Sequence, residues 1–176
     1  MDTNSCLVLQ KDLEDILNEF NGFLTSNTKY LSPVPPFKQI TNVGELSDTF
    51  PILVSELASL NLTIKSLHVY TVFYAESIAI SNDPFIVIPI QNYEGMKFAK
   101  HELIDQAEPE LSPYTGSEYY KVEDAVEVAN VSFYSNSIYF INSNIYTSSQ
   151  YPENHQDGLG TFLTIFVNED LSSYFT

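Results

Sequence analysis

Residues 62–90, LTIKSLHVYTVFYAESIAISNDPFIVIPI, decide the fold. The stretch is built from Ile, Val, Phe, Tyr and Thr, whose branched or planar side chains fit a pleated surface better than a helix. Leu67, Val69 and Phe73 are interleaved with Lys65, His68 and Tyr70, and Ser81-Asn82-Asp83-Pro84 supplies turn residues. Two or three strands are expected here. The densest apolar run, Phe85 to Ile90, is far shorter than the ~20 residues a membrane-crossing helix requires, and it contains Pro89. The opening residues, Met1-Asp2-Thr3-Asn4-Ser5, show no basic region followed by an apolar stretch, so a cytoplasmic protein without a secretory leader is expected.

Towards the N-terminus the apolar spacing lengthens to three and four residues. Leu9, Leu13, Ile16, Leu17, Phe20 and Leu24 predict a helix over residues 9–24, with Lys11, Asp12, Glu14, Asp15 and Glu19 on its other side and Gly22 near its end. Cys6 is the only cysteine, which leaves no internal disulfide framework, and it is expected as a small apolar residue at the start of that helix. Ser32-Pro33-Val34-Pro35-Pro36 is an extended connector. A second helix is predicted over residues 48–60, with Pro51 in its first turn and Asn61 as its stop.

Towards the C-terminus the spacing predicts a third helix over residues 93–107, weakened by Gly95 and broken by Glu108-Pro109-Glu110-Leu111-Ser112-Pro113. Residues 119–128 fit a short helix running into a strand. From Val128 to Pro152 no residue is charged; an uncharged hairpin turning at Ser135-Asn136-Ser137 is expected, with strand pairing and homodimerisation through it as one reading. A loop over 150–160, a strand over 161–167 and an acidic tail follow. Helices first and strands after them predict a single α+β domain, residues 1–176, with a largely antiparallel sheet.

Charge narrows the function classes. The chain has 7 Lys, no Arg and 23 acids, for a net charge of −16. Direct nucleic-acid binding and attachment to anionic membranes both need the basic side chains that are missing. Between Glu102 and Glu127 there are eight acids against Lys121 alone, and Tyr119 and Tyr120 lie among them. Glu108, Glu110, Glu118, Tyr119, Tyr120, Glu123, Asp124 and Glu127 are therefore the candidate docking residues for a basic protein partner. The expected function is that of a non-enzymatic inhibitor which occupies a basic, nucleic-acid-binding or nuclease surface, as a toxin antidote or a phage-borne inhibitor of host defence.

Motifs for other chemistry are incomplete. His101-Glu102-Leu103-Ile104-Asp105 would place His101 and Asp105 on one helical face, but the second histidine of a zinc-protease helix is absent. Glu153, His155 and Asp157 alternate as a cation-binding string could, which makes a small metal-dependent hydrolase a third reading after self-assembly through 128–152. Gly158-Leu159-Gly160 precedes a strand and is a turn rather than a phosphate cradle. Neither a cofactor nor a metal is expected. Because like charges dominate the surface, raising salt from low to moderate concentration should increase the melting temperature by screening self-repulsion. A calorimetric scan showing the opposite trend would mean that attractive ion pairs dominate.

Overall fold

The computed structural model describes residues 1–26, 37–40, 43–72, 77–91, 93–113, 116–150 and 160–175. Two antiparallel six-stranded sheets and three helices form one α+β domain. In sheet one the order is β1 (Cys6–Gln10), β10 (Ser137–Ile141), β5 (Phe85–Gln91), β12 (Gly160–Val167), β3 (Ile64–Val72) and β2 (Phe37–Ile40). In sheet two it is β7 (Glu110–Leu111), β8 (Glu118–Lys121), β4 (Ser77–Ile80), β11 (Tyr146–Gln150), β6 (Lys97–Leu103) and β9 (Ala125–Ser132).

The continuous apolar runs follow from sheet one being covered on both faces. Ile86, Ile88, Ile138, Phe140, Leu163 and Ile165 point to the helices α1 (Glu14–Ser26), α2 (Val43–Thr49) and α3 (Pro51–Ser59). The alternate residues Phe85, Val87, Tyr139, Ile141 and Phe162 pack instead against Met96, Phe98 and Phe133 of the second layer. Pro89 is tolerated within β5 because the pairing with β12 shifts there, next to Phe162, and the ladder to β10 covers only Phe85, Ile86 and Val87.

The helical layer is tied together by a carboxylate. α3 begins with Pro51 and has no side-chain cap of its own. Glu19 of α1 accepts hydrogen bonds from the backbone N–H groups of Ile52 (2.9 Å) and Leu53 (3.0 Å), satisfying donors that the helix start leaves open. Beneath this link the fully buried rings of Phe20 and Phe50 stack at 4.1 Å. Asn61 takes the left-handed conformation (φ 59°) after the last turn, the stop expected of it.

Several expectations are corrected. Leu9 lies in strand β1, and α1 starts at Glu14, where the Asp12 carboxylate accepts from the Glu14 N–H and Asn136 Oδ1 accepts from the Leu13 N–H. α1 runs through Gly22 to Ser26. Cys6 is consequently a strand residue, paired with Ile141, and burial pushes its thiol up to about 11. The predicted 48–60 helix is α3, Pro51–Ser59, with Pro51 in its first turn as expected, and a separate helix, α2, precedes it. Residues 93–107 hold no helix. Gly95 sits in a turn at φ 83°, and residues 97–103 form β6, hydrogen-bonded on both sides by β11 and β9. The described residues of the 128–152 stretch form no hairpin. They contribute to β9, β10 and β11, of which β10 belongs to sheet one and the others to sheet two. The connector at 32–36 and most of the 150–160 loop, Glu153, His155, Asp157 and Gly158 included, lie outside the described residues.

Truncating the stacked pair tests the helical layer. Phe20→Ala should cost about 3–5 kcal/mol in urea unfolding, through lost burial and the cavity left behind.

Candidate functional site

Sheet two cannot be flat. β8 passes into β9 through the single turn Val122–Asp124, although β4, β11 and β6 lie between them in the ladder. Four strand spacings would separate the two by ~19 Å, whereas the four residue steps from Lys121 to Ala125 reach at most ~14 Å. The sheet must curl, bringing the link back beside the end of β6. There the Ile104 N–H donates to the Asp124 carbonyl at 3.0 Å.

That contact assembles the acidic rim. Glu102, Asp105 and Glu108 come from β6 and the loop after it, and Glu123 and Asp124 come from the β8–β9 link. Exposed aliphatic side chains stand beside it, Ile104 (45% exposed) and Val126 (57%), the latter paired in register with Glu102, while the exposed Leu111 (68%) pairs with Glu118 across β7 and β8. Nothing in the local sequence pattern sets these three apart from core residues.

The eight sequence candidates fall into four groups. Glu110 and Tyr119 face each other across β7 and β8. The Glu110 carboxylate accepts from the Tyr119 hydroxyl at 2.7 Å and pairs with Lys121 at 2.7 Å. The bond from Lys121, then that from Tyr119, holds the carboxyl of Glu110 below the usual range, and the same pair raises Lys121. Glu108, Glu118, Glu123 and Asp124 form no ion pair among the described residues; the three glutamates are exposed and Asp124 is half-buried. Tyr120 instead turns to the inner side of the curl, its ring edge-on to that of Tyr146 at 5.5 Å.

Glu127 lies in β9, at the opposite end of the ladder from β7, and is already saturated. Lys97 donates to both of its oxygens (2.8 and 2.7 Å), Asn130 Nδ2 donates to Oε1 (2.7 Å), and Gln150 Nε2 donates to Oε2 (2.9 Å). Burial alone would raise this carboxyl, but Lys97 and the amides keep it below the ordinary carboxylate range. A group so neutralised has little left to offer a basic partner.

Inside the curl lies a polar pair that no motif announced. His101 and Ser148 are each 4% exposed, and His101 Nε2 is 2.8 Å from Ser148 Oγ, with Nδ1 buried and without a hydrogen-bond partner among the described residues. Strand β6 carries His101 while Asp105 sits in the turn beyond it, so the two share no helical face. Burial holds the imidazole below its usual range, outweighing the pull of Glu127. With both partners closed off from solvent, this is a core contact rather than an accessible nucleophile and base. His68 lies in β3, as expected, and its ring meets Phe166 at 5.8 Å; burial lowers it too.

Among the described residues no three metal-ligating side chains converge, and no helix is long and apolar enough to cross a membrane. Comparison with models of known families finds no match, and comparison with curated proteins finds none.

The buried rings make the fold pH-sensitive. Both His68 and His101 hold protons less tightly folded than unfolded, so above the ordinary value of 6.5 they have no effect, and below it the unfolded chain gains protons that the folded one refuses. They therefore destabilise the fold progressively as pH falls below 6.5. The difference in unfolding free energy between pH 7.5 and pH 5.5, measured with urea, should shrink in His101→Gln. An unaltered difference would show that His101 titrates normally.

Proposed function

We propose that this protein acts by binding rather than catalysis: it docks through its acidic rim on a basic protein and blocks a surface that holds nucleic acid. The observation that carries this reading is the allocation of the lysines. Lys11 pairs with Glu56 (3.0 Å), Lys97 with Glu127 (2.7 Å), Lys100 with Asp2 (4.0 Å) and Lys121 with Glu110 (2.7 Å). The fold's own carboxylates thus take up these cations, while Glu102, Asp105, Glu108, Glu118 and Glu123 are exposed and Asp124 is half-buried. Solvated carboxylates attract the same Lys and Arg side chains that hold phosphates, so such a rim competes with nucleic acid for them.

The exposed Ile104 and Val126 beside the rim, with Leu111 opposite Glu118, supply apolar contact, which an acid surface serving solubility alone has no use for. A cytoplasmic toxin antidote, or an anti-defence factor that neutralises a host nuclease, fits this chemistry. The partner would be recovered by affinity capture at low salt.

Replacing Glu102, Glu118, Glu123 and Asp124 by their amides should leave the melting temperature nearly unchanged, because solvated acids contribute little to stability. Association with the captured partner should slow on the order of tenfold and its salt dependence should flatten, since long-range attraction steers the encounter. Unchanged rates in the folded variant, measured by surface plasmon resonance, would overturn the docking role.

A further inference from the structure

The edge of sheet two next to the rim is β9, whose outer side pairs with no strand among the described residues. β9 ends the ladder and is bonded only to β6 among the described residues. Alternate residues of an edge strand turn their N–H and C=O groups outward, a template for another strand. Proteins usually blunt such edges with lysine or proline; Ala125–Ser132 contains neither.

Two features divide this edge. A register shift between Lys100 and His101 interrupts the pairing, leaving an extra residue on β9 between Glu127 and Ala129. Beyond it the carbonyl of Asn130 accepts a hydrogen bond from the Met1 ammonium at 2.9 Å. Among the described residues nothing covers residues 125–128, and they carry the exposed Val126 (57%) and Val128 (44%). The same half of the strand follows directly on Glu123 and Asp124 and lies beside Glu102.

The geometry points to an extended, lysine- or arginine-bearing segment of the partner that adds as a strand to the 125–128 edge, its apolar residues against Val126 and Val128 and its cations among Glu102, Glu123 and Asp124. This rests on the docking reading above and specifies how the partner is held. Charge complementarity selects the occupant. A second copy would bring another net charge of −16 to this edge and set acidic rim against acidic rim, whereas a basic strand meets it with opposite sign. Backbone pairing supplies affinity in such strand addition, and side chains at alternate positions supply specificity.

The test uses a short peptide alternating Lys with Val and Thr, and a second peptide of identical sequence with alternate backbone amides N-methylated, so that charge and side chains are kept while hydrogen-bond donors are lost. Titrated into the full chain at low salt, the unmethylated peptide should bind at least tenfold more tightly. That preference should fall to about one in Val126→Lys/Val128→Lys, whose fold is checked by circular dichroism, but should persist in Glu14→Gln/Asp15→Asn, two exposed acids of α1 outside the rim whose replacement changes the net charge by the same amount. Equal binding of both peptides to the wild type would overturn strand addition and leave the acidic docking surface standing. No binding of either would also overturn it, with the affinity capture reporting separately on the docking surface. Dimers of the free protein in sedimentation, lost in Val126→Lys/Val128→Lys, would assign the edge to a second copy and overturn the basic-strand occupant.

Discussion

Coverage of sheet one on both faces is the constraint from which the rest of the molecule follows. A strand buried on one face alternates apolar and polar residues, but β5 and β10 are buried at nearly every position, so each must have an apolar layer above and below. The helices supply one layer, with Phe20 and Phe50 at its centre, and sheet two supplies the other through Phe98 and Phe133. The crossings between the sheets occur close together. The turn from β5 to β6 and the turn from β9 to β10 are joined by the Phe133 N–H donating to the Met96 carbonyl at 2.9 Å. Fully buried Tyr139 fastens the second crossing, its hydroxyl donating to the Ser132 carbonyl and accepting from the Tyr134 N–H, each at 2.9 Å. A single polar atom thereby satisfies two backbone groups where the chain leaves one sheet for the other.

Much of this architecture is legible in the sequence, and the failures have physical causes. The strands over 62–90 and 161–167 announce themselves through β-branched and aromatic residues that local propensity and tertiary burial both favour. The helix over 51–59 is marked by Pro51 and Asn61. Around residues 93–107 local and tertiary preference part: Met96, Ala99, Leu103 and Ala107 recur at three- and four-residue intervals, but partners on both sides, β11 and β9, convert the segment to strand. Leu9 misleads for the same reason, since its spacing from Leu13 looks helical while its partner Ile138 lies far along the chain.

The acidic segment was visible as composition but not as a surface. Sequence proximity groups Glu127 with Glu123 and Asp124, yet Glu127 is neutralised by Lys97 and by Gln150, one of them outside the segment on either side. Conversely, Glu102 and Asp105 join the rim through a backbone bond between Ile104 and Asp124, which no side-chain pattern encodes. His101 and Ser148 are 47 positions apart and meet only because β6 and β11 are neighbours. Charge is thus a property of the sequence, but which charges remain uncompensated is decided by strand order.

The pairing of β1 with β10 carries a consequence for biosynthesis. Cys6 is made 135 residues before its partner Ile141. At about 5–20 residues per second, roughly 7–27 seconds pass before the ladder can form. Throughout that interval the side chains of α1 that later face β5 and β10 have no sheet to cover them, because β12, which lies between β5 and β3, is made later still. The nascent chain must therefore remain soluble as an unfinished layer, and repulsion among the acids at Asp12, Glu14, Asp15 and Glu19 disfavours contact between neighbouring unfinished chains.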